Sequence, residues 1–265
     1  MQQSINYLQK LPMSKDLIKF YKENQIDMPC HDKPQSRIKT NTVAAEVVET
    51  PPVLAKPAIK LNSKPDVVQV ARKLADQCKT IEDLRQAIMD FNECELKKTA
   101  INTVIADGSV NSEAMFIGEA PGRHEDEQGI PFCGQSGKLL DNIIKAFGYQ
   151  RADSYITNTV FWRPPGNRRP TPEEIAICRP FVEKHIELIA PKYIILVGST
   201  AVESLLGSAM PMREVKQKLL KYNNKYLDAP ISTFVIFHPS YLLRQPLKKK
   251  EMWSDIQFIL NSAAK

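Results

Sequence analysis

No stretch of this sequence is long and apolar enough to cross a bilayer. Its charge-free runs are short and strand-like, such as residues 193–198, where a membrane helix needs roughly 20 apolar residues. Nor does the beginning of the chain carry an apolar core followed by a small-residue cleavage site, so no secretory signal is expected. Together these two absences lead us to expect a soluble protein of the cytoplasm. Cysteine is scarce: the five residues Cys30, Cys78, Cys94, Cys133 and Cys178 are scattered and odd in number, which argues against a disulfide framework and for reduced thiols. Glycine is absent before Gly108, and of the ten present, five fall between Gly118 and Gly137. Special backbone geometry, and with it a candidate site, is therefore concentrated in one segment.

What is present suits a single catalytic domain with a tail. The 265 residues are 43% hydrophobic with a mean hydropathy of −0.31, enough for one substantial core. A net charge of +6 and a pI near 8.9 suit a polyanionic partner without requiring one. Residues 16–24 are expected to form a short amphipathic helix through Leu17, Phe20 and Tyr21. From residue 30 to 65, prolines mix with polar residues without a sustained period, which reads as a disordered linker. The chain thus divides into an N-terminal extension, 1–65, and a folded domain, 66–265.

Within that domain, helices are predicted over 67–77 and 81–91, the second with Thr80 as N-cap and Asp83 three residues on. An apolar run over 114–117, a helix carrying Leu139, Leu140, Ile143, Ile144 and Phe147, and a strand over 154–160 then read as β-α-β. Thr171-Pro172-Glu173-Glu174 opens another helix, with Thr171 capping and Glu174 closing a capping box. A strand over 193–197, a helix through 201–206, a strand over 233–237 and a last helix over 249–262 follow. The predicted fold class is α/β: a three-layer α/β/α sandwich around a central four-stranded parallel sheet. Ligands of such sheets bind beyond the carboxyl ends of the strands.

Each candidate motif directly follows a strand: Gly118-Glu119-Ala120-Pro121-Gly122, Asn158 with an arginine loop, Gly198-Ser199, and His238-Pro239-Ser240. A carboxylate, an amide and an imidazole thus converge on one rim, with Phe132 nearby, a set suited to recognising and cleaving a small polar ring. These residues also carry a resemblance. The set Gly118-Glu119-Ala120-Pro121-Gly122, Glu125-Asp126, Gly129-Ile130-Pro131-Phe132, Thr157-Asn158, Arg163-Pro164-Pro165-Gly166-Asn167-Arg168 and His238-Pro239-Ser240-Tyr241-Leu242-Leu243-Arg244 resembles family 4 uracil-DNA glycosylase, from about Cys94 onward.

The resemblance implies an enzyme that flips uracil out of DNA and hydrolyses its N-glycosidic bond in base excision repair. His238, as neutral imidazole, would donate to uracil O2, and Asn158 would match the O4 and N3–H edge. Phe132 would stack on the base, and Gly118 and Ala120 would line its pocket. Glu119 would hold water or stabilise a cationic sugar, and Glu125 would crowd out a thymine methyl. Arg163, Arg168, Arg169 and Arg244 would meet phosphates, and the stretch 241–243, read as a leucine-bearing loop, would wedge into the vacated space. The Lys248-Lys249-Lys250 run reads as a solvated helix start.

The family's 4Fe-4S cluster needs four cysteines, of which Cys94 and Cys178 match two while Phe91 and Trp162 stand at the other two. No cluster and no other cofactor are therefore expected, and His185 is read as a packed histidine. The partner expected is uracil-containing DNA, with a monomeric chain, no membrane, and a protein partner for the extension. Two alternatives stay open: a non-catalytic nucleic-acid-binding module related to phage polymerase segments, and a glycosylase of broader deaminated-base specificity.

Overall fold

The computed structural model describes residues 65–207 and 210–263. The expected helix over 16–24, and all of the extension except Pro65, lie outside the described residues.

Two helices, α1 (Pro65–Gln77) and α2 (Ile81–Asp90), come first. The N-terminus of α2 is the expected capping box: Asp83 N donates to Thr80 Oγ1, and Thr80 N donates to Asp83 Oδ2, each at 3.0 Å. After a short strand β1 (Ala106–Gly108), the pattern alternates. Strand β2 (Ala114–Gly118) leads into α3 (Arg123–Gln128) and α4 (Gln135–Ala146), and strand β3 (Tyr155–Asn158) into α5 (Pro172–Ile189). Strand β4 (Tyr193–Val197) is followed by α6 (Ser199–Leu206), α7 (Met212–Val215), β5 (Leu220–Tyr222) and β6 (Ile231–Ile236). The described chain ends with α8 (Pro239–Arg244) and α9 (Lys249–Ala263).

The sheet runs β1-β3-β2-β4-β6-β5. Its four central strands are mutually parallel, as expected, while β1 and β5 flank them antiparallel and were not anticipated. Each edge strand is only three residues long, too short for a period of two to stand out.

Alternate residues of the central strands feed two cores. Met115, Ile117, Tyr155, Ile194, Leu196 and Val235 pack with α1, α2, α5 and α6. Ala114, Phe116, Ile156, Ile195, Val197, Phe234 and Ile236 pack with α4, α8 and α9. Burial on both faces is why these strands read as continuous apolar runs. Two expectations change. The stretch 241–243 belongs to helix α8, because Pro239 fits the first turn and His238 caps it. Lys249 is buried at the start of α9, and burial pushes its ammonium pKa down, so the lysine run is not uniformly solvated.

Candidate active site

The carboxyl ends of β2, β3, β4 and β6 open into a cleft of about 910 Å³. Its lining includes Glu119, Ala120, Glu125, Phe132, Asn158, His238 and Arg244, so one cavity gathers the carboxylate, amide, imidazole and aromatic ring expected from the sequence.

The Gly-rich segment is shaped by Glu125. One carboxylate oxygen accepts from Gly122 N at 3.1 Å, and the other from Cys133 N and Gly134 N at 3.1 and 3.0 Å. Three backbone donors are thereby satisfied around a single side chain, so Glu125 ties the two arms of the loop together. Glu125→Ala should strip all three donors of their partner and cost about 2–4 kcal/mol, read as a fall in thermal midpoint. A variant as stable as wild type that began to release thymine would instead restore Glu125 as a gate against the thymine methyl.

Phe132 is only 6% exposed, so its ring is enclosed in the cleft wall rather than presented to solvent. Its φ of 51° is strained for a non-glycine residue and must be held by its surroundings. Arg151 does this, donating to the carbonyls of Phe132 and Pro131 at 3.1 and 2.6 Å while bonded to Asp107 and Asp141 at 2.7 and 2.9 Å. Arg151 was invisible to motif reading, since its partners lie up to 44 residues away in sequence. The phenyl ring lies over Gly118, where an added Cβ would meet both it and Asn158 Oδ1, so close packing requires glycine. The ring centroid sits 5.7 Å from that of His238, the two planes tilted by 31°.

Asn158 ends β3 at 1% exposure, and its Oδ1 has no hydrogen-bond partner among the described residues. An orphaned buried acceptor in a cleft wall is what a ligand N–H would complete. His238 lines the same cleft, and its Nδ1 accepts from Ser240 N at 3.1 Å, with Ser240 Oγ at 2.8 Å. An amide N–H can only donate, so Nδ1 carries the lone pair and the neutral ring holds its proton on Nε2. Burial, aided by the Arg244 cation, pushes the imidazole pKa down to about 4. His238 therefore caps α8 with one nitrogen and offers a neutral N–H donor with the other. Gly198, at φ 93°, lets the ring approach: a Cβ there would lie 2.9 Å from His238 Cβ.

Glu119, half-buried directly after β2, accepts from Thr200 Oγ1, while its backbone carbonyl accepts from Thr159 Oγ1 at 2.6 Å. The arginines differ in their commitments. Arg163 bonds Asn167 Oδ1 at 2.7 Å and sits 3.8 Å from Asp126. Arg168 grips Glu174 with both terminal nitrogens at 2.9 and 2.6 Å. Arg169 bonds Thr200 Oγ1 at 2.9 Å and Glu203 at 2.7 Å. Of these four candidate phosphate contacts only Arg244, exposed on the cleft rim, has no carboxylate partner among the described residues. Beside it Leu242 is buried in the core, whereas Leu243 is 40% exposed and lines the cleft.

Away from the cleft, Cys94 and Cys178 lie within hydrogen-bonding reach of each other, both fully buried. The Cys178 thiol is pushed well up by burial and by its contact with Cys94, and the hydrogen bond from Cys178 draws the Cys94 thiol down. The two remaining cluster positions are filled by packed rings: Phe91 stacks on Trp162 at 6.4 Å and meets Phe181 edge-on at 5.2 Å. Trp162 Nε1 donates to Thr103 Oγ1 at 3.0 Å. Two thiols among aromatic rings do not fit a four-thiolate cluster, and no group of three metal-ligating side chains exists among the described residues. His185 is buried, bonded through Nδ1 to the Phe181 carbonyl at 3.1 Å, with its pKa pushed down to about 3 by burial.

The fold and cleft define an α/β protein whose candidate site lies at the carboxyl rim of a parallel sheet. Residues 105–257 match the family described as the Uracil DNA glycosylase superfamily, and the chain belongs to that superfamily. Within it the likeness is to the type-4 enzymes. The chain is 35% identical over 184 residues to the type-4 uracil-DNA glycosylase of Archaeoglobus fulgidus, covering 68% of this chain and 92% of that one. It is 34% identical over 185 residues to the type-4 enzyme of Sulfurisphaera tokodaii, covering 68% and 83%. A DNA polymerase of Bacillus phage SP01 is 27% identical over 153 residues, 57% of this chain and 16% of the polymerase.

Proposed function

We propose that this protein releases uracil from DNA by hydrolysing the N-glycosidic bond, leaving an abasic site for base excision repair. The observation that carries this reading is the unpartnered Oδ1 of buried Asn158 beside a His238 ring fixed with its proton on Nε2. Uracil presents N3–H between two carbonyls. Asn158 Oδ1 accepts that N–H and its amide donates to O4, whereas cytosine offers an acceptor and a donor in the reverse order. As the C1′–N1 bond breaks, its electron pair moves into the uracil ring and charge grows on O2. His238 Nε2–H meets that charge, an oxyanion-type contact. Water attacks the electron-poor C1′, held by Glu119, which also faces the developing positive charge on the sugar; the water's surplus proton passes to the carboxylate or to solvent. Ala120 brings no acid to the site. Phe132 supplies a face for the base, Arg244 a cation for a flanking phosphate, and Leu243 an apolar wedge.

A binding module of the phage polymerase kind would need neither the orphaned acceptor nor the fixed tautomer, which is why catalysis is favoured. Among the described residues no lysine lines the cleft, which supports release without a covalent amine intermediate. A uracil oligonucleotide treated with the protein should stay intact until alkali is added and then break at the uracil position. Strand breakage before alkali would refute simple hydrolysis.

We further infer that the chain holds no ordinary 4Fe-4S cluster, its place taken by Phe91 and Trp162. The purified protein should lack absorbance near 400 nm and contain no stoichiometric iron or acid-labile sulfide. Four irons per chain would overturn this. The reading keeps the domain 66–265 as a cytoplasmic monomer acting on uracil-containing DNA, with the extension available to a protein partner.

A further inference from the structure

The geometry points to Thr200 and Arg169 as positioning residues that fix the Glu119 carboxylate, with Glu203 anchoring Arg169. This inference rests on the assignment of Glu119 to the hydrolytic step and concerns what holds it there.

The chain of contacts has a forced direction. Arg169 Nε can only donate, and it reaches Thr200 Oγ1 at 2.9 Å. That bond occupies a lone pair of the hydroxyl, whose single proton then points to Glu119 Oε2, to which it donates. The rotor of Thr200 is thereby locked as a donor to the carboxylate. Arg169 is itself fixed by its ion pair with Glu203 at 2.7 Å. Thr200 and Glu203 lie three residues apart on α6, so they share a face of the helix and Arg169 spans both.

Thr200 is fully buried in the first turn of α6, where its hydroxyl has no carbonyl four residues back within the helix to accept its proton. Its bond to Glu119 crosses 81 residues of sequence and joins the end of β2 to the start of the helix after β4. With Thr159 Oγ1 held to the Glu119 carbonyl, both the backbone and one carboxylate oxygen of Glu119 are fixed. The second oxygen is left for the cleft that Glu119 lines. A catalytic carboxylate free to swing would populate productive geometry only part of the time, and locking one oxygen removes that loss. Arg169 thus acts on the chemistry through Thr200, although as an exposed arginine on a basic loop it would otherwise be taken for a phosphate contact.

Single-turnover release of uracil from a labelled single-stranded oligonucleotide separates the maximal rate from the half-saturating protein concentration. Thr200→Val should lower the maximal rate by about 10- to 100-fold, no more than the low end of the ~10²–10⁴ that a positioned acid–base group supplies, with half-saturation unchanged. Thr200→Ser, which keeps the hydroxyl, should recover the rate to within about threefold. Arg169→Ala should lower the maximal rate without altering half-saturation or its salt dependence, and Thr200→Val/Arg169→Ala should be no slower than Thr200→Val alone, as expected for groups acting in series. Glu203→Gln, a change at a partly exposed side chain, tests the anchor without disturbing the core, and should lower the maximal rate at an unchanged thermal midpoint. If Glu119→Gln is slow while Thr200→Val and Glu203→Gln keep the wild-type rate, the positioning role is overturned and the role of Glu119 stands. If Glu119→Gln itself keeps the wild-type rate, the assignment of Glu119 fails, and the inference with it. An Arg169→Ala variant that keeps its maximal rate but binds more weakly, with a salt slope shallower by about one, would make Arg169 a phosphate contact and overturn its place in the network.

Discussion

Replacing His238 with alanine should slow single-turnover release of uracil by about 10²–10³-fold, the range seen when one oxyanion donor is removed, while DNA binding is retained. The size follows from what Nε2–H does: it acts on charge that exists only as the glycosidic bond breaks, so its loss falls on the rate and not on affinity. The pH dependence carries a sign. With the pKa of the ring pushed down to about 4, its contribution stays constant from neutral pH downward and is lost only as pH falls through about 4. There a proton on Nδ1 would face the Ser240 N–H that now donates to it. A His238→Ala variant with the wild-type rate, or one whose only defect is binding, would remove the imidazole from the chemistry.

Asn158→Ala should reduce uracil release by about 10²-fold or more, the loss of two hydrogen bonds made in a buried site. Discrimination against cytosine should collapse with it, because the remaining contacts to the pyrimidine do not tell the two bases apart by their N3 edge. The same substitution should leave the thermal midpoint unchanged or raise it. Oδ1 is buried and unpartnered among the described residues, so alanine removes a desolvated acceptor that costs the free protein about 1–3 kcal/mol. Loss of activity without loss of stability is the mark of a residue kept for its ligand. A structural turn residue would show the opposite, a lowered midpoint with selectivity intact.

The central sheet was legible because four apolar runs buried on both faces leave a strong signal, and the helices at Thr80 and Thr171 because their capping boxes are local. The edge strands were not, being three residues each and partly exposed. Helix α8 was missed because its six residues follow a His-Pro pair that reads equally well as a turn. At the site, residue types and their common rim could be inferred, since each follows a strand. Their partners could not: Glu125 serves three backbone amides, and Phe132 is folded inward. Arg168 turns to Glu174 and Arg169 to Thr200 and Glu203. Arg151 and Thr200, which hold the loop and the carboxylate, stand in no motif, and only the fold brings them to their places.

The most direct test presents the protein with three otherwise identical single-stranded oligonucleotides carrying uracil, cytosine or thymine at one position, and measures the free base released. The account predicts uracil alone, with an abasic site formed for each uracil freed. Binding of all three without release of any base, or release of cytosine as fast as uracil, would contradict it.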